Sequence, residues 1–221
     1  MPGAAFGDAP PYVLAMSWQP GFCASDAGAV KAECAGGIKR ELTLHGLWPN
    51  ADRNGDGRMD EADDYCLGPD RARLMRLDKG DWRRLPPVDL DPDLERQLAD
   101  IMPGTRSHLE RHQWVKHGSC SGLSPQTYFA TAIALGKGVK TGAFGGLFGA
   151  KAGQKISRNG ILSVFSTTFG AGASRALQLV CRRADLVEIR LHLKGTGSLP
   201  DALDTGARAR GNCPATIYIA P

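Results

Sequence analysis

Apolar residues in this 221-residue chain come in short blocks divided by polar, proline- and glycine-rich connections. YVLAMSW is apolar with aromatic residues at both ends and stops at Gln19-Pro20-Gly21, which predicts a strand over 12–18. ELTLHGLW predicts a second strand, closed by Pro49. Leu94, Leu98 and Ile101 recur at helical spacing between Asp91-Pro92 and Met102-Pro103-Gly104, so a helix is expected there. SHLERHQWVKHG predicts the next helix, with Ser107 as N-cap and Glu110 completing a capping box. ALQLVCRR, LVEIRLHLK and ATIYIA read as three strands near the C-terminus, and the strands as a set are mostly non-alternating. The polar, acidic stretch 50–67 reads as a loop, and the glycine-rich segment 136–153 is expected to wrap the surface. No repeat or linker divides the chain. The expectation is an α+β fold, with a flexible tail over 1–10 and one domain over 11–221.

Composition narrows this little. Apolar residues make up 42% and charged ones 23%, as in ordinary globular proteins, and a net charge of +4 permits a polyanionic partner without requiring one. No stretch is apolar enough to span a bilayer, because Lys137 and Lys140 break the Gly/Ala-rich region. Cys23, Cys34, Cys66, Cys120, Cys181 and Cys213 form an even, dispersed set without a CxxC pair, which favours disulfides and an oxidising compartment over zinc. Six cysteines allow fifteen pairings, and spacing does not choose among them. MPGAAFGD lacks the basic start and apolar run of a signal peptide, so the chain reads as the mature form of a periplasmic or secreted protein.

The chemistry concentrates in RHQWVKHGSC, residues 111–120. On a helix, His112 and Lys116 share a face, as do Gln113 and His117. Two imidazoles, an ammonium and an amide suit binding and protonating an anion such as phosphate; a plain solvated helix would show the same residues. His108 precedes His112 by four, but a metal pair there lacks a third ligand. LTLHGLWPN places another histidine, His45, at a predicted strand end, with Gly46 for a turn and Trp48-Pro49 as a rigid aromatic wall.

HGLWP followed some way on by H-x-W-x-K-H-G-x-C resembles the two active-site blocks of the ribonuclease T2 family, and YVLAMSWQPGFC resembles that family's first strand and first cysteine. The resemblance implies a mixed, mainly antiparallel central sheet with helices packed on it. It also implies endoribonuclease cleavage of single-stranded RNA, not DNA, through 2′,3′-cyclic phosphates, with low base specificity, no catalytic cofactor and no membrane partner, by a monomer. Residue by residue, His117 would take the 2′-hydroxyl proton and His45 would protonate the leaving oxygen, with Lys116 and Gln113 contacting the phosphate. His112 would hold the phosphate, and Trp48, Trp114 and Asn50 would serve substrate binding. Gln113 stands where the family usually has glutamate and Asn50 where aspartate is frequent, so a slowed enzyme and an altered base preference are expected. The family pairing of cysteines would be Cys23–Cys34, Cys66–Cys120 and Cys181–Cys213.

One loop has no place in that pattern. DRNGDGRMDEAD, residues 52–63, matches a twelve-residue calcium loop at Asp52, Asn54, Asp56, the Arg58 carbonyl, Asp60 and Asp63, with Gly57 at its turn. A structural calcium ion is expected there. Two other functions fit parts of the pattern: a catalytically weakened RNA-binding or interaction protein, suggested by Gln113, and a calcium-dependent phosphoesterase, suggested by the loop.

Overall fold

A computed structural model describes residues 11–56, 63–207 and 209–221. β1 (Tyr12–Trp18) lies between β2 (Leu42–Pro49) and β5 (Asp185–Leu193), antiparallel to both, and β4 (Leu177–Arg182) pairs antiparallel with the other edge of β5. β6 (Thr216–Ile219) joins β5 in parallel at Asp185 and Tyr218, and β3 (Gln154–Ser157) pairs antiparallel with β6. The fold is α+β with a mixed, mainly antiparallel sheet, as the resemblance implied.

Residues paired across antiparallel strands share a face, and the two faces here differ in kind. Tyr12, Leu14, Met16 and Trp18 join Leu42, Leu44 and Leu47 and Ile189, Leu191 and Leu193 in the main core. The other face carries Ala15 between Gly46 and Arg190, Ser17 between Thr43 and Glu188, and Val13 between Trp48 and His192. β1 and β5 therefore alternate, contrary to the non-alternating reading, and the polar rows of this second face floor the candidate site.

Helices cover the core face. α6 (Pro125–Val139) packs on β1 and β2, and α4 (Pro92–Ile101) packs on α6 through Leu94, Leu98 and Ile101. At Gly136 a Cβ would lie 3.0 Å from Ile101 Cδ1, so glycine lets α6 approach closely. The glycine-rich segment does not wrap the surface. It ends α6 and forms α7 (Gly142–Ala150), whose buried Phe144 packs on Phe165 of α8 (Arg158–Phe169) with ring centroids 4.8 Å apart and whose buried Phe148 packs on Phe144 and Trp18. Tertiary burial of phenylalanine outweighs the poor helix propensity of glycine, worth roughly 1 kcal/mol per residue.

The capping box at Ser107 does not form. Ser107 lies in a 3₁₀ turn, where its hydroxyl bonds the Glu33 carboxylate and accepts from Ala32 N, and His108 takes left-handed angles (φ 60°) before α5 (Leu109–Lys116) begins. All three disulfides, Cys23–Cys34, Cys66–Cys120 and Cys181–Cys213, are formed. Residues 1–10, read as a tail, lie outside the described residues, as do Gly57, Arg58 and Asp60 of the acidic loop. Phe144→Ala should lower unfolding stability by roughly 3–5 kcal/mol in a denaturant titration. A surface-wrapping segment would show almost no change.

Candidate active site

His45 is not at a strand end. Gly46 pairs with Ala15 and Leu44 with Met16, leaving His45 as the extra residue of a bulge within β2. A bulge re-aims one side chain without ending the strand. With only Ala15 and Ser17 on the intervening face of β1, the imidazole reaches across that strand to β5, where His45 Nδ1 lies 2.5 Å from Glu188 Oε2. Glu188 is 7% exposed, and its second oxygen accepts from Arg190 Nε at 2.6 Å. Burial pushes the Glu188 carboxyl up, but the His45 hydrogen bond and the His45 and Arg190 charges overcome this and leave it below the ordinary glutamate range.

The second motif comes to the same place from α5. Trp48 is the meeting point, with its ring centroid 5.3 Å from His45 and 5.4 Å from His117. Its indole N–H donates to Gln113 Oε1 at 2.9 Å, and the Arg190 guanidinium carbon stands 5.0 Å from the ring centroid. Gly46 is needed for space rather than for a turn: a Cβ there would overlap the Gln113 amide. Gln113 itself is 0% exposed, with its Nε2 buried and unpartnered. It does not open onto the cleft as a phosphate contact would, and its amide holds Trp48 instead.

His117 ends α5 and is partly buried, with Nδ1 3.1 Å from Asp64 Oδ1; Lys116 Nζ lies 3.9 Å from the other Asp64 oxygen. Because a carboxylate only accepts, Nδ1 carries the proton and Nε2 keeps its lone pair. Burial lowers the His117 pKa; Asp64 opposes the shift, while the positive charges of Lys116 and His112 add to it. His112 Nδ1 lies 2.7 Å from Asp78 Oδ1, at the end of α3 (Arg71–Asp78), and Tyr65 OH donates to Asp78 Oδ2 at 2.8 Å. His112 stacks on Trp82 at 4.6 Å, and Lys31 Nζ lies 4.1 Å from the centroid of that indole. A cleft of about 300 Å³ runs from His45 and Glu188 to Trp82, lined also by Phe22, Lys31 and Val187.

The structure thus brings His45, Trp48, His112, Gln113, Lys116 and His117 together and sets Trp114, Asn50 and the acidic loop apart. Trp114 faces away, packed edge-on to Tyr128 at 5.8 Å and against Gly118 in the core. Asn50 lies just past β2, its backbone N–H donating to the Pro11 carbonyl at 2.7 Å. In the acidic loop, Asp63 turns inward, and its Oδ1 accepts from the backbone of Arg53 and Asn54. Asp52 and Asn54 likewise accept from backbone N–H groups of the loop itself. Among the described residues no three His, Cys, Asp or Glu side chains converge to hold a metal. Sequence reasoning missed Glu188, Arg190, Asp64, Asp78 and Trp82. For the first two the signal was present in the alternation of VEIRLHL, which puts Glu188, Arg190 and His192 on one face.

Solved structures place this arrangement in a known fold. A variant of RNase MC1 in complex with 5′-GMP superposes with a TM-score of 0.60 at 20% identity, over 96% of this chain and all of that one. The self-incompatibility SF11-RNase of Nicotiana alata gives 0.61 at 15% identity, over 97% and 100%. The ribonuclease T2 family model matches residues 10–199, and Ribonuclease I of Escherichia coli K12 is 30% identical over 97% of this chain and 87% of its own length. The chain belongs to the ribonuclease T2 family.

Burial makes one measurable demand on His117. Its titration, followed by NMR, is expected to have a midpoint below the ordinary imidazole value of about 6.5. The unfolded chain binds this proton at higher pH than the folded one. The His117 contribution to stability is therefore intact above about pH 6.5 and declines as pH falls from there to the folded midpoint. A midpoint above 6.5 would mean that Asp64 outweighs burial.

Proposed function

We propose that the protein is an endoribonuclease that cleaves single-stranded RNA by metal-independent transphosphorylation through a 2′,3′-cyclic phosphate. The observation that carries this reading is the pair of imidazoles that both pack against Trp48, each with Nδ1 on its own carboxylate. Nδ1 bound in this way leaves Nε2 of both rings for proton transfer. His117, held neutral by burial, takes the proton from the ribose 2′-hydroxyl. The 2′-oxygen attacks phosphorus, the bond to the 5′-oxygen breaks, and His45 gives its proton to that oxygen. In the second half His45 draws a proton from water, which opens the cyclic phosphate while His117 returns its proton to the 2′-oxygen. Lys116 and His112 steady the non-bridging oxygens as charge builds on them. The nucleophile belongs to the substrate, so DNA, lacking the 2′-hydroxyl, is not cleaved.

The cleft of about 300 Å³ takes a base beside Trp82, and its apolar lining by Phe22 and Val187 fits a stacking, sequence-tolerant contact. Trp48, engaged by Arg190 and in contact with both histidines, serves as the platform against which they are held. Asn50 contributes to base preference from the end of β2. Three disulfides support a periplasmic or secreted location, with the protein acting as a monomer. Calcium, if it binds at 52–63, orders that loop and takes no part in the chemistry; calorimetry at millimolar calcium giving no heat removes that site.

Incubated with a short single-stranded RNA in EDTA, the protein should yield cyclic-phosphate ends by mass spectrometry, and His117→Ala should slow cleavage by roughly 10²–10⁴-fold. Absence of cleavage between pH 4 and 8 would favour an RNA-binding protein that keeps the fold. Gln113→Glu puts a carboxylate where the structure offers only the Trp48 N–H. A change in turnover or pH profile is expected, and an unchanged enzyme would remove Gln113 from the active machinery.

A further inference from the structure

Glu188 and Arg190 are two residues apart on β5, on the sheet face opposite the hydrophobic core. An ion pair there is not needed to fill the core, yet Glu188 is 7% exposed and both of its oxygens are engaged. One oxygen lies 2.5 Å from His45 Nδ1 and the other accepts from Arg190 Nε at 2.6 Å. Arginine is a donor only, so the oxygen facing Arg190 must accept, and the orientation of the whole carboxylate follows. Arg190 is itself seated by the Trp48 ring, 5.0 Å from its centroid. The other charged groups in the same cleft, Lys31 and Glu33, have different partners: Lys31 rides on Trp82, and the Glu33 carboxylate is bonded by Ser107.

We propose that Glu188, oriented by Arg190, is a positioning residue that keeps a proton on His45 Nδ1 and so presents His45 Nε2 to the leaving oxygen. The inference rests on reading His45 as the proton donor. In this role Glu188 acts through the imidazole.

Glu188→Gln tests this with almost no change of shape. Arg190 Nε still requires an acceptor, so it takes the amide oxygen and leaves the amide N–H₂ facing His45 Nδ1. Nδ1 must then accept, and the proton of the neutral ring moves to Nε2. Nitrogen chemical shifts of His45 at high pH should show Nδ1 protonated in the native protein and Nε2 protonated in the variant. Turnover should fall by on the order of 10²-fold, with KM nearly unchanged, as expected when proton delivery and not binding is impaired. The native protein showing Nε2 protonation overturns the proposal without any variant. A folded Glu188→Gln protein with native turnover and tautomer overturns it as well. If the tautomer switches as expected but native protein cleaves no RNA, the positioning role stands and the ribonuclease reading fails.

Discussion

The two halves of the site are joined by one hydrogen bond, from the Trp48 indole to the Gln113 amide. Trp48 belongs to the strand motif and Gln113 to the helix motif, 65 residues apart in sequence. Gln113 is wholly buried, so its amide oxygen has this N–H in place of water, and leaving such an acceptor unmet costs about 1–3 kcal/mol. It fixes the distance between β2 and α5 and leaves no room for a side chain at position 46. A shift of α5 relative to the sheet would strand the indole N–H and drive the amide into Gly46. Both His45 and His117 pack against Trp48, so the Gln113 bond that holds this indole also steadies the two imidazoles relative to each other.

Within that frame the histidines are treated alike at one nitrogen and differently elsewhere. Each of His45, His112 and His117 has Nδ1 on a carboxylate, and the three carboxylates come from β5, from the end of α3 and from the segment before Cys66. Three separate elements thus converge to give each ring an acceptor at the same nitrogen. The surroundings then part company. His117 lies in a drier setting next to two positive neighbours, which favours the neutral ring, while His45 is partly exposed beside an ionised Glu188.

How much of this could be read beforehand depends on how local each feature is. His45, Trp48, His112, Lys116 and His117 lie in two short motifs, and the disulfide pairing came with the resemblance those motifs support. Glu188, Asp64 and Asp78 are three of 23 acidic residues, and no local pattern tells which acid meets which histidine. The bulge at His45 was equally hidden, since it arises from the register of β2 on β1. The capping box at Ser107 was a correct pattern with a competitor: the hydroxyl bonds Glu33, from a distant part of the chain, and α5 starts two residues later. For α7, the glycines argued for a surface loop and the phenylalanines for burial; the Phe144–Phe165 packing shows that the larger apolar area decides.

The segment Asp63–Cys66 shows how the site tolerates an acidic loop beside it. Asp63 ends the loop by accepting its backbone amides, Asp64 holds His117, Tyr65 holds Asp78 and through it His112, and Cys66 is bonded to Cys120 just beyond α5. Four consecutive residues cannot all make such contacts in an ordinary strand, where neighbours point to opposite faces. Tyr65 takes left-handed angles (φ 60°), and its own N–H donates to the Lys116 carbonyl at the end of α5. A left-handed conformation costs a non-glycine residue roughly 1–2 kcal/mol. Glycine would relieve that cost but would lose the phenol that holds Asp78, so the side chain outweighs the backbone preference here. The Tyr65 and disulfide ties to α5 lie between the loop and the histidines. Arg53 ties the loop to the same frame, its guanidinium donating to the Asp63 and Cys120 carbonyls.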